Sequence, residues 1–311
     1  MYEEFAAMIH GIIDIGSNTI RLAIYKIENG TLKLLIKKKH TVGLAAYIEN
    51  NIMLPEGIQK ACEVLAEFKV FLESFNINNV VAFTTAALRN VENSKEAVNQ
   101  IIRNTGIDIM VISGDEEAAF DFIGATQAME TKEGILIDIG GASTELVSYK
   151  DGNVLSVISM PIGSLAMYTK HVKGLLPSKE ETEMIRNEVL SEVEQAVEFK
   201  NGIYQDICGI GGTFKGAGKL NNELFGLPDS NTKIEVAYIG QMIDQFACET
   251  QFVSNDILDI LLKVVPERIK TIVPGLIILD TLAKQFQSEM ITVSDSGVRE
   301  GYLYDKVLKN V

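Results

Sequence analysis

Two apolar runs, residues 11–15 and 134–139, each stop at a short glycine-bearing turn and resume as an alternating segment, 19–25 and 143–149. Continuous β-branched runs followed by period-two alternation predict strands rather than helices. A third strand is expected after each hairpin, at 31–41 and 153–159. The spacing then changes to a helical one over about 55–75, with Pro55 at an early helical position. A strand at 80–84, a helix at 94–105, a strand at 107–112 and a helix at about 115–129 follow. In the second half a long helix of about 178–199 opens on Ser178 and Glu181, the spacing of a capping box. A strand at 203–209, several helices, a strand at 290–294 and a terminal helix of about 298–309 complete the pattern.

The two hairpins are copies. Asp14-Ile15-Gly16 recurs as Asp138-Ile139-Gly140, an offset of 124 residues that also pairs Leu22 with Leu146 and Tyr25 with Tyr149. A β-meander followed by alternating helix and strand, written twice, predicts an α/β protein. The expected fold is two actin-like (ribonuclease H-like) domains of the sugar kinase/Hsp70/actin superfamily, with an interdomain cleft. The expected boundaries are 1–128 and 129–299, with the C-terminal helix of about 300–311 packing back on the first domain. No Pro/Gly/Ser-rich linker or low-complexity tract interrupts the chain.

Composition narrows the function. A chain of 311 residues can bury two cores, and 47% hydrophobic with 23% charged residues excludes intrinsic disorder. The excess of 42 Asp+Glu over 28 Lys+Arg, net −14, repels nucleic acid and anionic lipid on average. A phosphate substrate would have to be met by a few local cations and backbone N–H groups. Cys62, Cys208 and Cys248 stand far apart, as do His10, His40 and His171, so neither a zinc pattern nor a disulfide framework is present. Buried thiols in a reducing cytosol are the expectation. The first residues carry acid where a signal peptide carries base, and the apolar stretch 271–283 is broken by Pro274, Gly275 and Asp280. The expected location is therefore cytoplasmic, without membrane attachment.

The turns carry the candidate chemistry. In the first, Gly16 and its small neighbours let the backbone approach an anion, and successive N–H groups can form an anion-binding concavity. Ser17, Asn18 and Thr19 add side-chain donors, and Arg21 adds a planar fork suited to phosphate oxygens. The second turn, Gly140, Gly141, Ala142, Ser143, repeats the design, with Glu145 at the place of Arg21. One turn flanked by a cation and one by an acid suits a metal-bridged phosphate. Asp14, Asp138 and Glu145 are candidate ligands for Mg²⁺ or another divalent cation, although each Asp could instead serve only its own turn. A glycine turn at Gly209–Thr213 lacks the spacing of a P-loop, and Phe214 stands where a dinucleotide fingerprint needs its last glycine. The run Lys37-Lys38-Lys39 reads as the decoration of an exposed edge strand.

Taken together, these motifs resemble the exopolyphosphatase/guanosine pentaphosphate phosphatase family in its short two-domain form, over about residues 11 to 302. Besides the two Asp turns, the matching segments are Thr84-Thr85-Ala86-Ala87-Leu88-Arg89, Ser113-Gly114-Asp115-Glu116-Glu117-Ala118, Gly209-Ile210-Gly211-Gly212-Thr213 and Gly297-Val298-Arg299-Glu300-Gly301. Thr19, Val91 and Ala142 depart from the family pattern; Ala142 would matter only if that residue took a positive φ. The resemblance implies that Arg89 and the third turn, Gly211, Gly212 and Thr213, contact phosphate. It also implies that Glu117 is the general base, directing water at a terminal phosphoryl group. The implied activity is release of orthophosphate from polyphosphate, with guanosine pentaphosphate as the rival substrate and a non-enzymatic polyphosphate or alarmone sensor as the rival role. A homodimer is left open.

Overall fold

The computed structural model describes residues 8–126, 132–246 and 253–310. Cys248 and the end of the helix expected to reach residue 129 lie outside them. The chain forms two compact units, residues 1–113 with 305–311, and 114–304.

In the first unit, β1 (Met8–Ile15), β2 (Thr19–Glu28) and β3 (Thr31–Thr41) form an antiparallel meander. A 3₁₀ turn (Leu44–Tyr47) and a two-residue ladder of β4 (Ile48–Glu49) with β5 (Ile52–Met53) lead into α1 (Pro55–Ser74). Then come β6 (Val80–Thr84), the short α2 (Ala86–Arg89), α3 (Ser94–Thr105) and β7 (Ile109–Val111). The sheet order is β3-β2-β1-β6-β7, with β6 and β7 joining β1 in parallel. Ile13, Ile15, Ile20, Leu22 and Ile24 share one buried cluster with Leu65 and Phe68 of α1. Period two therefore sends Asp14 and Arg21 to the opposite face. β3 is the edge strand that the lysine run predicts; Lys38 reaches Glu67 at 3.5 Å and lies over the Phe71 ring.

The second unit opens with α4 (Gly114–Thr126) and repeats the meander as β8 (Glu133–Ile139), β9 (Thr144–Lys150) and β10 (Asn153–Met160). It continues with α5 (Ser164–His171), α6 (Lys179–Gln195), β11 (Asp206–Ile210), α7 (Gly211–Leu224), β12 (Lys233–Glu235), α8 (Val236–Phe246), α9 (Asn255–Val264), α10 (Ile272–Gln285), β13 (Met290–Val293) and α11 (Val298–Tyr302). The sheet order is β10-β9-β8-β11-β13-β12. Ile135, Ile137, Ile139 and Leu146 face the larger core with Phe214 and Leu276. Leu136, Val147 and Tyr149 face the other way, under Ala118, Phe122 and Ala125 of α4. Both faces of this sheet are thus covered, as its continuous apolar strands require.

The expected terminal helix is present, but it changes type along its length. After α11 the backbone passes through a π segment (Leu303–Val307) and a 3₁₀ turn (Leu308–Asn310). The capping box of α6 is fully formed: the Ser178 hydroxyl accepts from the Glu181 N–H, and the Glu181 carboxylate accepts from the Ser178 N–H at 2.9 Å. Ser178→Ala is expected to cost about 1 kcal/mol, read as a lower urea midpoint.

Candidate functional site

Each hairpin turn is closed by the same contact. The N–H of Gly16 donates to the Thr19 carbonyl at 3.1 Å, and the N–H of Gly140 donates to the Ser143 carbonyl at 2.9 Å. A Cβ on either glycine would come within 3.1 Å of that carbonyl oxygen. The glycines are therefore there for close approach. Neither has a positive φ, and neither does Ala142, so alanine is compatible with its place in the turn.

Two further carbonyls of each turn are held from behind. In the first unit, Ser17 accepts from the Ala45 N–H at 3.0 Å, and Asn18 accepts from the N–H groups of Val42 and Gly43 at 3.0 and 2.9 Å. In the second, Gly140 accepts from the Ser164 N–H at 2.9 Å, and Gly141 accepts from Leu165 and Ala166 at 2.9 and 2.8 Å. In a trans peptide the C=O of one residue and the N–H of the next point in opposite directions, and no described peptide bond is cis. Fixing these carbonyls directs the N–H groups of Asn18, Gly141 and Ala142 the other way. Among the described residues none of the three donates to a loop or turn carbonyl. Successive main-chain donors left in this way form an anion-binding nest.

The charged groups follow from strand register. Asp14 pairs across the ladder with Arg21, and the guanidinium donates to its carboxylate at 3.2 Å. Asp14 is buried, so in this unit it anchors the arginine beside the turn. Arg89 is held at the same sheet edge. Its α2 follows β6, whose Thr84 hydroxyl donates to the Ile15 carbonyl at 3.1 Å, and its own Nη1 donates to the Ile112 carbonyl at 3.3 Å. Arg89 is half-buried and tied to the main chain, not a free surface cation.

In the second unit the cross-strand pair is Asp138 with Glu145, two acids directly opposite each other. Such pairs are destabilising unless something else neutralises them. Glu145 is buried and accepts from the Ser159 hydroxyl at 2.7 Å. The third turn closes on Asp138. Gly211 has φ +82°, and a Cβ there would overlap the Asp138 carboxylate, so the first turn of α7 lies against that acid. The Thr213 hydroxyl is committed to the Ile139 carbonyl at 2.7 Å, and the Arg268 guanidinium lies across Gly212. Glu117 is buried in the first turn of α4, whereas Glu116 is exposed.

One turn further along α4 stands Asp121, a residue that the motif pattern does not single out. It is completely buried, and neither carboxylate oxygen has a hydrogen-bond partner. Burial, first, and then the charges of Asp138, Glu117 and Glu145 push its carboxyl well above the usual range. The Val298 N–H opposes that shift without satisfying either oxygen. Its only sequence signal is the i, i+4 spacing from Glu117, which puts both on one helix face. Burial, with a smaller contribution from Asp121, raises the Cys208 thiol to about 12, so it is inert as a nucleophile.

The donor set on this face is all oxygen, the chemistry of a hard cation. Among the described residues no three His, Cys, Asp or Glu side chains are grouped to hold a metal by themselves. Asp138 and Glu145, directly opposite each other, are the kind of carboxylate pair that a hard cation such as Mg²⁺ takes.

Two α/β units of actin-like fold, each with an amide-presenting turn beside acids or arginine, define a phosphate-handling protein of that fold class. The chain belongs to the Ppx/GppA phosphatase family, whose model matches residues 23–310. A Haemophilus influenzae protein whose name proposes an exopolyphosphatase is 28% identical over 94% of this chain and 89% of its own length. A guanosine-5'-triphosphate,3'-diphosphate pyrophosphatase from Pseudoalteromonas atlantica is 27% identical over 95% of this chain, which spans 58% of that relative. An exopolyphosphatase structure from Cytophaga hutchinsonii is similar at 25% identity with a TM-score of 0.83, covering 98% and 99% of the two chains. The Aquifex aeolicus member of the family gives a TM-score of 0.76 at 26% identity, again over 98% and 99%. No described helix is long and apolar enough to cross a membrane.

Proposed function

We propose that this phosphatase is an exopolyphosphatase, releasing orthophosphate from the end of inorganic polyphosphate. The observation that carries this is the duplicated turn whose carbonyls are tied back so that its amides are presented. A repeating chain of phosphates is the ligand that two such donor sets suit. A relative matched over 94% of this chain and 89% of its own length bears an exopolyphosphatase name.

The N–H groups of Asn18, Gly141 and Ala142, with the side chains of Ser17, Thr19 and Ser143, bind phosphate oxygens. Arg21, oriented by Asp14, and Arg89, oriented by the Ile112 carbonyl, add charge where the amides leave a dianion incompletely neutralised. Gly211, Gly212 and Thr213 keep the third turn close to Asp138. Glu117 accepts a proton from water as the water oxygen bonds to the terminal phosphorus. The bridging P–O bond breaks, and its electron pair leaves with the shortened chain. Asp14 is the candidate acid of the first unit; in the second unit Asp138 and Glu145 are the residues that would hold Mg²⁺. That ion supplies charge neutralisation of the phosphoryl oxygens when bound.

Phosphate release from tripolyphosphate, long-chain polyphosphate and guanosine pentaphosphate, each with Mg²⁺ and with EDTA, tests this. Metal-dependent release from polyphosphate at a higher kcat/KM than from the nucleotide is expected. A preference for the nucleotide would transfer the assignment to alarmone hydrolysis. Release from neither, with binding retained, would point to a sensor.

A further inference from the structure

The second turn is not self-supporting. Three consecutive N–H groups at the start of α5 and one hydroxyl are committed to it: Ser164, Leu165 and Ala166 donate to Gly140 and Gly141, and the Ser164 Oγ donates to the Gly140 carbonyl at 3.0 Å. Ser164 is buried, so its hydroxyl has no competing water. The Thr144 hydroxyl donates to the Ile162 carbonyl at 2.6 Å, fixing the link between β10 and α5. Gly163 sits where the approach is tightest. A Cβ there would overlap the Gly141 carbonyl and the Ala142 nitrogen, although its φ of −140° is open to any residue. Glycine is required by contact with the turn and not by its own conformation.

We propose that Gly163 and Ser164 are positioning residues for phosphate binding: they pin the Gly140 and Gly141 carbonyls, and so aim the Gly141 and Ala142 N–H groups at the ligand. The mechanism is mechanical and electrostatic. A peptide plane turns as one body, so releasing its carbonyl releases its N–H. Hydrogen bonds in series also polarise one another, so the positive end of α5 strengthens donors that it does not itself present. The first unit builds the same device from Val42, Gly43 and Ala45 behind Ser17 and Asn18. An anion-binding turn backed from behind thus occurs in both units, made from unrelated local sequence.

The inference rests on the phosphate reading above, and the test separates the two. Equilibrium binding of tripolyphosphate and of inorganic phosphate is measured by calorimetry on the full chain carrying Glu117→Gln, which prevents turnover. Adding Ser164→Ala is expected to weaken tripolyphosphate binding by about 3–10-fold, the range for one lost hydrogen bond. Adding Gly163→Ala is expected to weaken it by more than about 10-fold, since the whole contact is displaced. Ser178→Ala, which loosens α6 without touching the turn, sets the effect of lost stability alone and is expected to leave the Kd unchanged. In the Glu117 background, the same Ser164→Ala change is expected to raise KM for tripolyphosphate more than it lowers kcat. Should Gly163→Ala fail to fold, Ser164→Ala decides by itself. A folded Ser164→Ala protein with the parent's Kd overturns the positioning role while leaving the phosphate reading intact. A parent protein that binds neither anion overturns both.

Discussion

Replacing Glu117 by glutamine is expected to lower kcat for phosphate release by about 10²–10⁴-fold, the usual contribution of a positioned general base. Glutamine keeps the size and the acceptor oxygen of the side chain but cannot take a proton. Glu117 stands in the first turn of α4, whose residues packed on the sheet are Ala118, Phe122 and Ala125, so the substitution leaves the helix's apolar contacts in place. Glu116→Gln is the matched control. Glu116 is exposed one residue earlier in the same turn, and its substitution is expected to leave kcat within about 2-fold, as for a surface change away from the chemistry. The measurement is initial phosphate release at saturating tripolyphosphate for both variants. A Glu117→Gln enzyme with wild-type kcat would remove this carboxylate from the proton transfer and leave the base to be sought elsewhere.

The hairpins were legible because their signal is local. Ile12, Ile13 and Ile15, or Ile135, Ile137 and Ile139, can only be strand interiors beside a glycine turn, and register then follows from period two. The pairing of Asp14 with Arg21 and of Asp138 with Glu145 is contained in that register. The duplicated motif likewise marks both hairpin turns in the sequence. What escaped depends on residues distant in sequence. Gly163 looks like an ordinary residue before a helix, until Gly141 and Ala142 are found against it. Arg268 carries no motif, yet its guanidinium lies across Gly212. Gly124 reads as an unremarkable helical glycine, but a Cβ there would overlap the Gly297 carbonyl; the motif marks Gly301 without showing that a Cβ on it would overlap the Phe120 carbonyl. These two contacts clamp α4 to α11 and so hold the helix that carries Glu117. The terminal helix of about 298–309 was legible as helical, but periodicity does not register its change from α to π and 3₁₀ turns.

Asp121 gives the clearest separation of stability from function. In metal-free buffer, Asp121→Asn is expected to be more stable than wild type at about pH 8, by about 1.4 kcal/mol for each pH unit over which the folded carboxyl keeps a proton that the unfolded chain has lost. At about pH 3.5, below the ordinary Asp value of 3.8, the difference should largely vanish. The sign follows from proton counting. The folded carboxyl keeps its proton above the ordinary Asp value of 3.8, where the unfolded chain has already released it. The folded state then binds more protons, so stability falls as pH rises, until the raised folded value is reached. Asparagine has nearly the shape of the neutral acid and no proton to lose, so it escapes that fall. The groups facing Asp121 all act in the same direction except one: Asp138 from β8, Glu145 from β9 and Glu117 from its own helix disfavour the charge, and only the Val298 N–H favours it. Urea midpoints at both pH values measure the effect. An equal gain at the two pH values, or a loss at the higher one, would mean that Asp121 is ionised and satisfied in the fold, and its neighbours would then have to supply the compensating positive charge.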